Sequence, residues 1–225
     1  MTSNTEFQAF IFDLGKVIVD WDPRYLLHEI APDEERLKFL VEEVLDLNWF
    51  RAVDAGYSLS KAIAERSEIY PDYADAMQIY VDRWPETIRG FFDGTLDIVR
   101  KLHAAGFPLY IVSNWADETW VRVEEDMTFL KYFQDCIISG QVGVAKPDAA
   151  IFDMARDRFQ VEPKTTLFID DGQKNVDAAI AAGFQSILFE TPEKLVFDLR
   201  SFGVALPQLS PSISSLCSPS LGAGR

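Results

Sequence analysis

The residues best suited to chemistry in this 225-residue chain are acids, a hydroxyl and an amide, each set at the end of a short apolar run. Asp13 follows Ala9–Phe12, Ser113 and Asn114 follow Leu109–Val112, and the pair Asp170-Asp171 follows Leu167–Ile169. One Asp or Ser in such a place is most often a helix N-cap or a turn former. Gathered at one edge of a sheet, three carboxylates pose an electrostatic problem. An unperturbed Asp has a pKa of about 3.9, and a close neighbour of like charge pushes it up. A divalent cation relieves the crowding, and Mg2+ suits an open set of carboxylates plus a backbone carbonyl. Zinc would have only His28 and His103, which read as structural or surface residues.

Such a cluster needs positive charge aimed at an anionic substrate. Lys146, in Gly143-Val144-Ala145-Lys146-Pro147, is the candidate because it precedes a helix start, where free N–H groups also favour anions. The alternative is an ordinary exposed lysine.

The apolar runs, joined by Cys136–Ile138 before Ser139-Gly140 and by Ser186–Phe189, are strand-length and rich in aromatic or β-branched residues. Continuous apolar runs suit strands covered on both faces, as in parallel sheets. Between them, Thr95–Ala105 reads as a helix stopped by Gly106, and Asn175–Ala182 as one stopped by Gly183. Lys146-Pro147 is expected to open a helix carrying Ile151, Ala155 and Phe159 in register. From residue 91 onward this alternation predicts an α/β fold, a doubly wound parallel sheet that binds ligands at the carboxyl ends of its strands.

Residues 24–88 differ, with helical stretches at Leu37–Leu45, Leu59–Tyr70 and Tyr73–Trp84 and no strand signal. This all-helical insertion falls just after Asp13, so it either closes over that strand end or decorates the fold elsewhere. The expected organisation is a core of residues 1–19 and 91–206, a helical cap of residues 20–90 and a disordered tail of residues 207–225. That tail holds six serines, three prolines and two glycines, too little apolar surface to offset the entropy of ordering it.

Composition narrows the partners. With 21 Lys and Arg against 36 Asp and Glu, the net charge of −15 repels polynucleotides, and no basic stripe reverses it. A hydrophobic fraction of 48% fits a globular chain with a real core. No apolar run nears the ~18 residues of a membrane helix, and Met1–Phe7 lacks the basic and apolar regions of a signal peptide, so a cytoplasmic protein is expected. Cys136 and Cys217 read as bystanders. Oligomeric state leaves no trace in the sequence.

Four segments resemble, in order and spacing, the motifs of the haloacid dehalogenase-like hydrolases across about residues 7–190. They are Phe12-Asp13-Leu14-Gly15-Lys16-Val17, Ile111-Val112-Ser113-Asn114, Val144-Ala145-Lys146-Pro147-Asp148 and Phe168-Ile169-Asp170-Asp171-Gly172, with Asn175-Val176 after the last. The chain is similar to the phosphatase branch with a helical cap, and to sugar-phosphatase-like members whose first motif also reads Asp-Leu-Gly.

The resemblance implies an enzyme that hydrolyses phosphoric monoesters of small phosphorylated metabolites. Asp13 would attack phosphorus and form an aspartyl-phosphate. Mg2+ would be held by Asp13, the Gly15 carbonyl and Asp171, with Asp170 assisting. Lys146 would offset charge, Ser113 and the backbone amide of Asn114 would hold the phosphate, and cap residues such as Trp49, Phe50, Arg51 and Trp84 would choose the leaving group.

The chain departs from the family pattern at Gly15, where phosphatases of this kind usually carry a second Asp that serves as acid and base. Asp20 and Asp22 are candidate substitutes, or else solvated turn residues around Pro23. A missing acid favours a leaving group already stable as an anion, such as the anomeric oxygen of a hexose 1-phosphate. Two rival readings stand beside this one. A 2-haloacid dehalogenase would use the same Asp without metal, but that branch replaces the acidic pair with Ser or Asn. A non-catalytic module would bind a phosphometabolite without turnover.

Overall fold

The computed structural model describes residues 6–31 and 33–207. The expected tail, apart from Pro207, and Cys217 lie outside the described residues.

Five parallel strands form the central sheet: β1 (Ala9–Phe12), β4 (Leu109–Ser113), β5 (Asp135–Ile138), β6 (Thr166–Asp170) and β7 (Gln185–Leu188), ordered β5-β4-β1-β6-β7. Alternation along β1 explains why a continuous apolar run was needed. Phe10 and Phe12 face a core shared with Leu96, Val99 and Leu102, whereas Ala9 and Ile11 face Ile151, Phe152 and Ala155. Full burial of each large apolar side chain contributes about 1.5–3 kcal/mol. The first face is covered by α6 (Asp93–Ala104) and α11 (Pro192–Ser201), the second by α9 (Ala149–Phe159) and α10 (Gln173–Ala181). The chain runs from β1 out to β4 and β5, then crosses back to β6, so the winding reverses beside β1, where such sheets bind ligands.

One helix start differs from expectation. α9 begins at Ala149, because Asp148 accepts a hydrogen bond from the Ala150 amide (2.9 Å) and so serves as its N-cap. Lys146 and Pro147 belong to the preceding turn, closed by Asp148 N–H donating to the Ala145 carbonyl (2.9 Å).

The insertion is framed by two strands that the sequence does not signal. β2 (Val19–Trp21) and β3 (Ile88–Phe91) pair as an antiparallel ribbon, with Asp20 opposite Gly90. Between them come α1 (Arg24–Ile30), α2 (Glu34–Phe39) with a π-helical continuation over Leu40–Val44, α3 (Leu47–Asp54), α4 (Leu59–Ile69) and α5 (Ala74–Asp82). Asp46 caps α3 by accepting from the amides of Asn48 and Trp49, and it pairs with Arg66 of α4. Leu26, Leu27, Met77 and Tyr80 of these helices join the core on the first face of the sheet.

Glu118 and Arg122 are among the side chains that tie the insertion to the sheet domain. Glu118, in the short helix α7 (Asp117–Trp120), accepts hydrogen bonds from the Leu59 amide (3.0 Å) and the Ser58 hydroxyl (3.3 Å). Arg122 donates to the carbonyls of Val81 and Asp82, both 2.6 Å away, at the carbonyl-rich end of α5.

Candidate active site

Asp13 is placed by the strand ladder itself. Its amide donates to the Ile169 carbonyl (2.9 Å), extending the pairing of β1 with β6, and its carboxylate accepts from the Leu14 amide (2.7 Å). The chain then turns tightly, with the Leu14 carbonyl accepting from the amides of Ile18 and Val19 and with Lys16 in the left-handed region at φ 60°. Gly15 sits in that turn, its backbone on the wall of a cavity of about 590 Å3 that also reaches Asp13, Asn114, Asp171 and Asn175.

Lys146 is not an exposed lysine. It is 2% exposed, and its three ammonium protons have three oxygens to meet: Asp170 Oδ2 at 2.7 Å, the Val112 carbonyl at 2.8 Å and Asp13 Oδ1 at 2.9 Å. One ammonium thus joins the ends of β1, β4 and β6. Burial works to lower its pKa, but Asp13 and Asp170 outweigh it and hold the group above its ordinary value. Burial also pushes the Asp13 carboxyl up to about 7; Lys146 pulls against that shift, and Asp170 and Asp171 add to it.

Asp170 is wholly buried and fully bonded, since its other oxygen accepts from the Gly172 amide (2.8 Å) and from Asn175 Nδ2 (2.9 Å). Asp171 is exposed at the rim. Loss of surrounding water raises its pKa first and the Asp170 charge second, with Lys16 and Lys146 opposing. Asp13, Asp170 and Asp171 each offer a carboxylate oxygen, all within 4.8 Å of one another. This all-oxygen set is hard, anionic and open on one side, and it fits a small divalent cation.

Ser113 and Asn114 complete the strand-end group. The Ser113 hydroxyl is buried with no hydrogen-bond partner among the described residues, an orphan that a ligand oxygen would satisfy. The Asn114 side chain is committed to the backbone of Lys146.

The structure gives Asp20 and Asp22 local partners. Asp20 accepts from the Tyr25 hydroxyl (2.7 Å), and Asp22, on the cavity wall, accepts from the Arg24 amide (2.8 Å) at the start of α1. Trp49, Phe50, Arg51 and Trp84 of the cap all line the cavity. So does Asp54, which sequence reasoning passed over. An acid that ends an amphipathic helix just before Ala55-Gly56 looks like ordinary helix-stop composition, and only the fold turns it inward.

The chain belongs to the haloacid dehalogenase-like hydrolases, whose family model matches residues 7–183. It is similar to flavin mononucleotide hydrolase 1 of Arabidopsis thaliana, 30% identical over 122 residues. That match covers 53% of this chain and 49% of the relative, so the chain spans about half the length of that protein. It is also similar to (S)-2-haloacid dehalogenase 1 of Pseudomonas sp. strain CBS-3, 23% identical over 197 residues, covering 80% and 83% of the two chains. Among solved structures, a family enzyme from Bacteroides thetaiotaomicron in complex with magnesium and inorganic phosphate superposes with a TM-score of 0.64 at 23% identity. That superposition covers 82% of this chain and 95% of the other, a shared fold. No helix among the described residues is long and apolar enough to cross a membrane.

Proposed function

We propose that this hydrolase is a Mg2+-dependent phosphatase that transfers the phosphoryl group of a small phosphorylated metabolite to Asp13 and then to water. The observation that carries the reading is the oxygen cluster of Asp13, Asp170 and Asp171 built around the Lys146 ammonium. A carboxylate nucleophile working alone on an uncharged carbon centre has no use for two more acids beside it. The magnesium and phosphate of the Bacteroides neighbour support the same reading.

Asp13, Asp170, Asp171 and the Gly15 carbonyl would hold Mg2+, which when bound offsets negative charge on the nucleophile and the phosphoryl oxygens. Asp13 Oδ attacks phosphorus while Lys146 and the Leu14 amide fix the carboxylate in place. The Ser113 hydroxyl and the Asn114 backbone N–H orient the phosphoryl oxygens. The cap limits bulk water over the site. Trp49, Phe50, Tyr80 and Trp84 give the cavity broad apolar walls, and its volume of about 590 Å3 suits a leaving group of sugar size, such as that of a hexose 1-phosphate.

The Pseudomonas relative supports a second reading, metal-independent dehalogenation by the same Asp13. Asp170 and Asp171 weigh against it, because they would repel a substrate carboxylate and a departing halide. A non-catalytic phosphometabolite-binding module is the third. A panel of phosphorylated metabolites assayed with and without Mg2+, beside chloride release from 2-chloropropionate with chelator, separates them. Metal-dependent phosphate release abolished by Asp13→Asn is the expected result. Halide release without metal, or phosphate binding without turnover, overturns it.

A further inference from the structure

The geometry points to Asp54 as the general acid and base of this site, protonating the leaving oxygen and then taking the proton of the attacking water. This inference rests on the phosphatase reading above.

Placement comes first. Asp54 is the last residue of α3 and lines the same cavity as Asp13. Its loop is pressed onto the core beside the lysine turn. A Cβ built on Gly56 would lie 3.2 Å from the Gly140 carbonyl and 3.5 Å from Gly143 Cα, three residues before Lys146. Gly140 is itself closed in, since a side chain there would come within 2.7 Å of the Trp115 carbonyl. Glu118 then holds Ser58 and Leu59, two and three residues beyond Gly56. The carboxyl is therefore delivered to the cavity by a backbone with little freedom to withdraw it.

Chemistry comes second. Among the described residues no hydrogen-bond donor or cation partners the Asp54 carboxylate, and its place at the carbonyl end of a helix disfavours its charged form. Burial drives its pKa up to about 7, with Lys146 alone pulling it down and the Tyr80 phenol, held neutral by burial, as its other titratable neighbour. The other acids on the cavity wall are occupied or wet. Asp13 is the nucleophile, Asp171 belongs to the oxygen cluster, Asp22 accepts from the Arg24 amide and Glu42 is exposed. A carboxyl that exchanges its proton near neutrality without a partner to lose suits a proton carrier.

The steps balance. Asp13 Oδ forms a bond to phosphorus as the bond to the leaving oxygen breaks, and that oxygen takes the Asp54 proton. Water then attacks phosphorus, the Asp13–phosphorus bond breaks, and the water proton returns to Asp54. With this acid present, the leaving group need not be a stable anion, which widens the substrates beyond the anomeric esters that Gly15 alone suggests.

The test uses the full chain with Mg2+ and phosphate esters graded from p-nitrophenyl through phenyl to alkyl. Asp54→Asn should cut kcat/KM for the alkyl ester by about 100-fold or more, and for p-nitrophenyl phosphate by less than about tenfold. It should also show a burst of nitrophenol, because the phosphoenzyme waits for an unactivated water. Asp54→Ala, read on the same series, serves if the amide variant does not fold, and formate should restore part of its alkyl turnover. An equal loss across the series, or none, overturns the assignment while leaving the phosphatase reading intact. A wild-type chain inert to every ester overturns both.

Discussion

Asn114 and Lys146 hold each other twice: the Asn114 side-chain Nδ2 donates to the Lys146 carbonyl (2.9 Å), and the Lys146 backbone N–H donates to Asn114 Oδ1 (2.8 Å). This two-way bond closes the turn before α9 onto the end of β4, and it sets the direction from which the lysine side chain enters the sheet. Asn114→Ala leaves two backbone groups unmet and should cost about 2 kcal/mol, lowering the melting temperature by about 4–8 °C. Turnover should fall as Lys146 drifts. Melting curves and steady-state kinetics on one preparation check both.

Removing the lysine charge strands two acids. Lys146→Met leaves Asp13 and Asp170 buried without their cation, and a broken buried pair of this kind costs about 3–5 kcal/mol. Lys146→Met/Asp170→Asn should lose less than the sum of the two single variants, since one uncompensated charge is gone. Urea unfolding of the four proteins with chelator present measures that coupling. Strict additivity would contradict the arrangement.

Stability should depend on pH through Asp54. Its pKa is 3.8 for an ordinary Asp and about 7 in the fold, so between those values the folded chain keeps a proton that the unfolded chain has lost. Stability therefore falls as pH rises through that window and levels off above it. Asp54→Asn lacks this contribution. The stability difference in its favour should grow from near zero at pH about 4 to at most about 4 kcal/mol above pH 7. Asp13 and Asp171 are the same in both proteins and cancel. A difference that stays flat over the range would mean an Asp54 of ordinary acidity.

Gly15 is not there for want of room, since a Cβ at this position meets no atom within 4 Å. Gly15→Asp should fold, with a melting temperature lowered by the added carboxyl beside the acidic cluster and recovered in part by Mg2+. Combined with Asp54→Asn, it should recover alkyl-phosphate turnover at least about tenfold by offering a replacement for the lost Asp54 carboxyl. Kinetics of the double variant against Asp54→Asn decide the matter.

The sheet was readable because its strands are buried on both faces and so carry unbroken apolar runs that end at polar residues. β2 and β3 escaped notice because Val19–Trp21 and Ile88–Phe91 are short, interrupted by Asp20, Arg89 and Gly90, and nearly seventy residues apart in the chain. The start of α9 lies beyond the expected one because Pro147 suits a first turn, yet Asp148 supplies the acceptor that a helix start needs. At the strand ends, residue type and position suffice to mark Asp13, Asp170, Asp171 and Lys146 as neighbours. Asp54 depends on where a helix from a different part of the chain comes to rest, and local sequence holds no record of that.

The ribbon of β2 and β3 has a consequence for how this protein varies. Because Asp20 and Gly90 lie opposite each other, the whole insert leaves the sheet and returns at one doorway. A short turn bridging that doorway would disturb few backbone hydrogen bonds of the parallel sheet, and the entropy of closing a loop grows only slowly with its length. Trp49, Phe50, Asp54, Tyr80 and Trp84 thus reach the cavity on one exchangeable cassette, and its walls on that side can be rebuilt while the strand ends that carry Asp13, Lys146 and Asp170 stay as they are.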